Sequence, residues 1–254
     1  DPTFASPRAW LGYVYVIAIV EDWQPEKLGS RDEIYVQSEQ HARDAIELEP
    51  YHYDGYWALT FVLLNAGRYE EAREACELTL LLNGNGDKFL LTEAADYHVH
   101  FGEVDHALTL INRSMRIYDW QKWVYAWAYY MKGKDEPQYY QRAIDEIEGT
   151  FWKQGDKKYL YDIQLLLAAS HARLAQYYGK GAGSNERAAA DPQHPDAGER
   201  SSFHQRAAGE ALSELLKRKP GWSLEKVRAA FTFQHSELAE HWYTGVKLAG
   251  LSEE

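Results

Sequence analysis

The side chains best suited to chemistry lie close together in one stretch, where His98, His100 and His106 are interleaved with Asp96 and Asp105. A shared metal ion would require their donors to converge. On a helix, residues two apart point about 200° away from each other, so His98 and His100 are poor co-ligands. No His-Glu-x-x-His run occurs, and no metal site is assigned. Cys76 is the single cysteine, which excludes an internal disulfide and a thiolate zinc cage. It falls among apolar helix positions, where a thiol packs and stays inert. Gly179-Lys180-Gly181-Ala182-Gly183-Ser184 is rich in glycine, but it follows a helix and lacks the Gly-Lys-Ser/Thr ending of a phosphate loop. Acidic pairs such as Glu70-Glu71 and Glu253-Glu254 read as solvated faces and ends. No catalytic residue and no cofactor follow from these motifs. What stands out is aromatic: 9 Trp and 19 Tyr bring the aromatic share to 14%. Trp57 and Phe61 sit one helical turn apart, side by side on one face.

The chain of 254 residues is 45% hydrophobic and 26% charged, the balance of a folded globular protein with a sizeable core. Lys+Arg total 27 against Asp+Glu 39, a net charge of −12 that repels phosphate backbones and anionic lipid. The apolar run Trp10–Val20 is too short to cross a bilayer and carries Tyr13 and Tyr15. It also lacks the basic leader and cleavage site of a signal peptide. The first residue is Asp1, not Met, so the expectation is either a processed chain or a segment of a longer protein, in which a further domain could hold the chemistry.

Apolar residues recur at spacings of three and four, broken by Gly, Pro and Asn, and no stretch alternates over a strand's length. This predicts an all-α fold. One helix is predicted over about Asp54–Asn65, stopping at Ala66-Gly67-Arg68, and a second from Tyr69 to about Leu82. A similar pair follows, with Leu91, Ala94 and Ala95 in its first helix, a turn at Gly102, and Ala107, Ile111 and Ser114 in its second. Earlier, Ser30 and Glu33 form a capping box for a helix restarting after Pro25 and Gly29. Later, Trp127-Ala128 and Tyr140, Ala143, Ile147 flank a break at Gly133–Pro137. Leu167-Ala168 precedes a helix over about Phe203–Lys219 that carries Ala208 and Leu212. Between them Gly179–Ser202, rich in Gly, Ala, Pro and Asp, reads as a poorly ordered insertion. Ser223 and Ser236 start two terminal helices.

These positions resemble the 34-residue tetratricopeptide repeat, a helix–turn–helix unit. Tyr56, Leu59, Thr60, Gly67, Tyr69, Ala72 and Leu80 occupy its signature places, and Gly12 stands beside Leu11 as Thr60 stands beside Leu59. The resemblance implies a right-handed α-solenoid in a single domain over residues 1–254. Its repeats run over about 1–50, 51–84, 85–119, 120–155 and 156–220, with a flexible insertion at 179–202 and a cap at 221–254. The first repeat carries an insertion of about 14 residues relative to that unit length. The tail, from Glu214-Leu215-Leu216 through Lys219-Pro220-Gly221-Trp222-Ser223 to Gly250-Leu251-Ser252-Glu253, is similar to the end of such repeat regions following bacterial class III nucleotidyl cyclase domains or winged-helix transcription regulators.

In this family the first helices line a concave face and contact ligands from the second, fifth, ninth and twelfth repeat positions. Carried over, the partner-binding residues are Tyr13, Trp57, Phe61, Thr92, Asp96, Tyr125, Tyr129 and Leu165. Large aromatics with few rotors to freeze suit such a groove. The Lys and Asn of the chaperone carboxylate clamp are replaced here by Trp57, Phe61, Thr92 and Asp96, which argues against a chaperone co-receptor. The resemblance therefore implies a non-catalytic scaffold that takes a protein or peptide segment in its groove, as a regulatory domain of a larger bacterial signalling protein. The alternative is a small-molecule sensor whose aromatic hollow closes on a ligand. No direct nucleic-acid contact and no membrane insertion are expected. The cytoplasm is the expected compartment, with the periplasm as the alternative if the parent chain has a membrane span.

Overall fold

A computed structural model describes residues 4–21, 23–83, 86–114, 123–151, 161–180 and 196–254. Among them all regular structure is helical and no strand occurs. The helices are α1 (Ala5–Val20), α2 (Arg31–Leu48), α3 (Tyr53–Asn65), α4 (Tyr69–Asn83), α5 (Lys88–His100), α6 (Val104–Ser114), α7 (Trp123–Lys132), α8 (Gln138–Phe151), α9 (Tyr161–Gly179), α10 (Ala197–Arg218), α11 (Leu224–Ala230) and α12 (Ser236–Leu248). No described helix is long and apolar enough to cross a membrane. The chain divides into two compact units, Asp1–Ile117 with Arg228–Ser236, and Tyr118–Val227 with Glu237–Glu254.

In the first unit α1 packs on α2, α3 on α4 and α5 on α6, while α1, α3 and α5 also touch in succession. The turns within the α3–α4 and α5–α6 pairs are built alike. Gly67 and Gly102 hold φ of 75° and 86°, a left-handed backbone that glycine adopts without Cβ strain. At the first, Gly67 N–H donates to Leu64 O and Arg68 N–H to Leu63 O; at the second, Gly102 N–H donates to Val99 O and Glu103 N–H to His98 O. This double bond pattern satisfies the last carbonyls of α3 and α5. The predicted capping box is formed, with Ser30 Oγ accepting from Glu33 N–H and the Glu33 carboxylate accepting from Ser30 N–H.

Small residues decide how closely the helices approach. A Cβ added at Gly12 would come within 2.7 Å of Ser38 O on α2, so α1 and α2 meet there backbone to side. The residues at the matching place in later pairs, Thr60, Ala95, Ala128 and Ala168, are all fully buried, as are Ala72, Ala107, Ala143 and Ala208 in the second helices. Ala72→Leu and Ala107→Leu are each expected to cost about 1–3 kcal/mol through overpacking. Chemical denaturation checks this against Glu74→Leu on the exposed face of α4; a midpoint shift equal to that control would show the register to be wrong.

The second unit repeats the arrangement, with α7 on α8, α9 on α10, and α9 also against α7 and α8. One boundary differs from expectation. α10 begins at Ala197, ahead of the predicted start near Phe203, because Asp196 caps it and accepts from Gly198 N–H and Glu199 N–H. A Gly- and Ala-rich composition had masked that cap. Residues 181–195 of the expected insertion lie outside the described residues. Trp242 of α12 meets Trp127 edge-on at 4.6 Å, and Leu224 N–H donates to Ser252 O, so the tail is tied in.

The stretch between α11 and α12 belongs to the first unit, where it crosses the C-terminal ends of α3 and α5. Thr232 Oγ1 donates to Leu64 O, Gln234 N–H donates to His100 O, and Phe233 stacks on His100 at 5.1 Å. Gln234 also receives a hydrogen bond from Arg73 and gives one to Glu70.

Candidate ligand-binding site

In the first unit, α1, α3 and α5 bring one aromatic cluster together. Tyr13 stacks on Trp57 with centroids 4.6 Å apart and lies 4.5 Å from Phe61. Trp10 also leans on Trp57, at 4.8 Å, and Phe89 meets it edge to face at 5.9 Å. Trp57 is 2% exposed and forms the floor, whereas Tyr13 and Phe61 are half-buried and Trp10 is exposed. Burial of the indole comes from its neighbours, since Trp10 and Tyr13 of α1 and Phe89 of α5 pack against it.

Acidic groups adjoin these rings. Glu93 stands one turn before Tyr97 on α5, and the Tyr97 hydroxyl donates to it at 3.4 Å. Desolvation pushes the Glu93 carboxyl up to about 7, against the opposing pull of Tyr97 and Trp57. Asp96 is half-buried, with His100 Nε2 3.8 Å from its Oδ1. Burial, followed by the Glu93 and Asp96 charges, raises the Tyr13 hydroxyl well above its ordinary value. The result is a surface with aromatic faces at the rim and carboxyl groups behind them. It can bind an apolar or cationic group.

The remaining predicted contact residues separate by environment. Thr92 is fully buried and its hydroxyl donates to Lys88 O, so it packs within α5. Leu165 is buried in the core of the second unit. Tyr125 and Tyr129 of α7 are half-buried with centroids 6.3 Å apart, and the Arg142 guanidinium lies over both Tyr129 and Tyr139. The structure thus brings Tyr13, Trp57, Phe61 and Asp96 to one place in the first unit and puts Tyr125 and Tyr129 together on the second. Glu93 and Tyr97 escaped the sequence reading. Their signal was a lone carboxylate amid the apolar run Leu90-Leu91 and Ala94-Ala95, four residues before a tyrosine.

The histidines and the cysteine have structural employment. His98 Nδ1 lies 2.5 Å from Glu103 Oε2, and Glu103 also pairs with Arg73. Burial lowers the His98 pKa, with Glu103 opposing. Among the described residues no group of three His, Cys, Asp or Glu side chains could hold a metal ion. Burial pushes the Cys76 thiol up to about 12, so it stays protonated and a poor nucleophile at neutral pH. No family model, no curated protein and no solved structure matches this chain.

Proposed function

We propose that this chain is a non-catalytic binding module, an array of tetratricopeptide-like helical hairpins that receives a protein or peptide segment. Supporting the repeat reading are the succession of paired helices, the matching turns at Gly67 and Gly102, and the buried small residues at repeated places. The similarity of the tail to bacterial regulatory regions extends the reading to a cytoplasmic regulatory domain of a larger signalling protein.

The observation that carries the binding reading is the half-buried pair Tyr13 and Phe61, with Tyr13 stacked on buried Trp57 and with Glu93 and Asp96 nearby. Rigid rings on a packed floor offer contact area at little entropic cost, which is what hot spots require. Because Trp57 is floor, its truncation would report stability; Tyr13 and Phe61 are the residues that report binding. The test is to select peptides from a random library on the wild-type chain and titrate the winners against variants. Phe61→Ala and Tyr13→Ala are expected to weaken binding by about 2 kcal/mol each, and Glu74→Ala on the exposed side of α4 to leave it unchanged. Equal affinity across all three folded variants, or failure to enrich any peptide, would overturn the reading.

A further inference from the structure

The second unit holds a cavity of about 500 Å³ between α8, α9 and α10, apart from the aromatic cluster and unused by the reading above. Its size lies within the roughly 300–1,000 Å³ of small-molecule sites. Leu167 and Ala211 supply apolar wall, while Glu148, Glu210 and Glu214 turn the lining acidic. Among the described residues Lys217 is the one cation lining it, and its ammonium is taken by Glu214 at 2.6 Å. Neither Glu148 nor Glu210 has an ion-pair partner among the described residues.

An independent observation points the same way. Gln164 lines this cavity, is only 4% exposed, and its Oε1 is buried with no hydrogen-bond partner among the described residues. A buried amide oxygen without a donor is costly, and native folds rarely leave one unless something else fills the role. His171, also in the lining, is buried with Nδ1 2.8 Å from His204 Nδ1. Burial and that neighbour keep it neutral, so it adds no positive charge to the site. The cavity therefore wants a ligand with N–H donors, positive charge and a short apolar body.

We propose that this cavity binds a small organic ammonium compound, its nitrogen donating to Gln164 Oε1 and to the Glu148 and Glu210 carboxylates, with its carbon chain against Leu167 and Ala211. A neutral alcohol would satisfy the amide but leave the carboxylates unbalanced, and an anion would be repelled.

Calorimetric titration of the whole chain with pentane-1,5-diamine and pentylamine tests this, with pentane-1,5-diol and pentanoate as matched probes. Saturable binding of an amine is expected, without measurable binding of the diol or the acid. Glu148→Gln and Glu210→Gln, both at exposed positions that leave the core intact, are each expected to weaken amine binding by about tenfold. Glu77→Gln on α4 serves as the charge-matched control and is expected to change nothing. Phe61→Ala is expected to bind the amine as the wild type does, which separates this site from the aromatic one. Absence of amine binding, equal binding of the diol, or undiminished affinity in both glutamine variants would overturn the proposal.

Discussion

Between pH 6.5 and pH 4 the protein is expected to lose most of its stability, because it buries histidines that the folded state cannot protonate. His100 lies under Phe233 with its Nδ1 against Thr232 O, and burial lowers its pKa to about 4. His241 stacks against Tyr130 and Tyr140, and burial with the nearby Arg173 charge lowers it to about 3. His171 is shifted the same way by burial and by His204. An unfolded chain takes up these protons below about pH 6.5, whereas the folded chain does not until far lower pH. The unfolded state thus binds more protons across this window, and stability falls as pH falls. Each such histidine contributes on the order of 3 kcal/mol at the acid end, so three together approach the whole stability of a domain.

Glu93 acts in the opposite sense. Its folded pKa of about 7 lies above the unfolded carboxylate value, so the folded state gains stability as pH falls from 7 toward 4.5. One carboxyl offsets about one histidine and leaves the others uncompensated. Urea titrations at half-unit steps from pH 7.5 to 4 are expected to show a steadily falling midpoint, and His241→Gln or His100→Gln to flatten part of the slope. A midpoint independent of pH over this range would refute the buried, neutral state of these rings.

Gly245→Ala is expected to destabilise the second unit by about 2–3 kcal/mol, the largest effect from adding a single methyl group. A Cβ at this position would collide with the Tyr130 hydroxyl oxygen and fall 3.3 Å from Arg173 Nε. Tyr130 is fully buried between Trp127, Tyr140 and Trp242, so its ring has nowhere to retreat. Its hydroxyl donates to His241 O at 3.3 Å, an acceptor that Arg173 also uses. Tyr130→Phe removes the colliding atom while Arg173 keeps that carbonyl satisfied. The double variant Gly245→Ala, Tyr130→Phe is therefore expected to recover at least about 1 kcal/mol relative to additivity. Thermal and urea unfolding of the four members of the cycle measure the coupling; strict additivity would show that the two groups do not meet.

The helices and their ends were legible in the sequence because the forces that set them act within a few residues. Ser30 and Glu33 cap each other three residues apart, Gly67 and Gly102 supply a backbone torsion to their own turn, and the spacing of Ala72 or Ala107 is a property of one helix face. The early start of α10 was missed for a local reason too, a capping Asp196 set in a composition that reads as linker.

The sequence by itself therefore determined an all-helical chain of paired helices, its capping and turning residues, and the gathering of Tyr13, Trp57 and Phe61 on matching faces. Only the tertiary structure decided that Trp57 is floor while Tyr13 and Phe61 are rim, and that Glu93 sits in their midst with its carboxyl desolvated. It also decided that residues around Thr232 cross the ends of α3 and α5, and that Gln164 faces a cavity with its amide oxygen unanswered. The physical reason is range. Helix periodicity and capping are written in neighbours three or four apart, whereas desolvation and long-range hydrogen bonding join residues from tens to more than a hundred positions apart and leave no periodic trace in the chain.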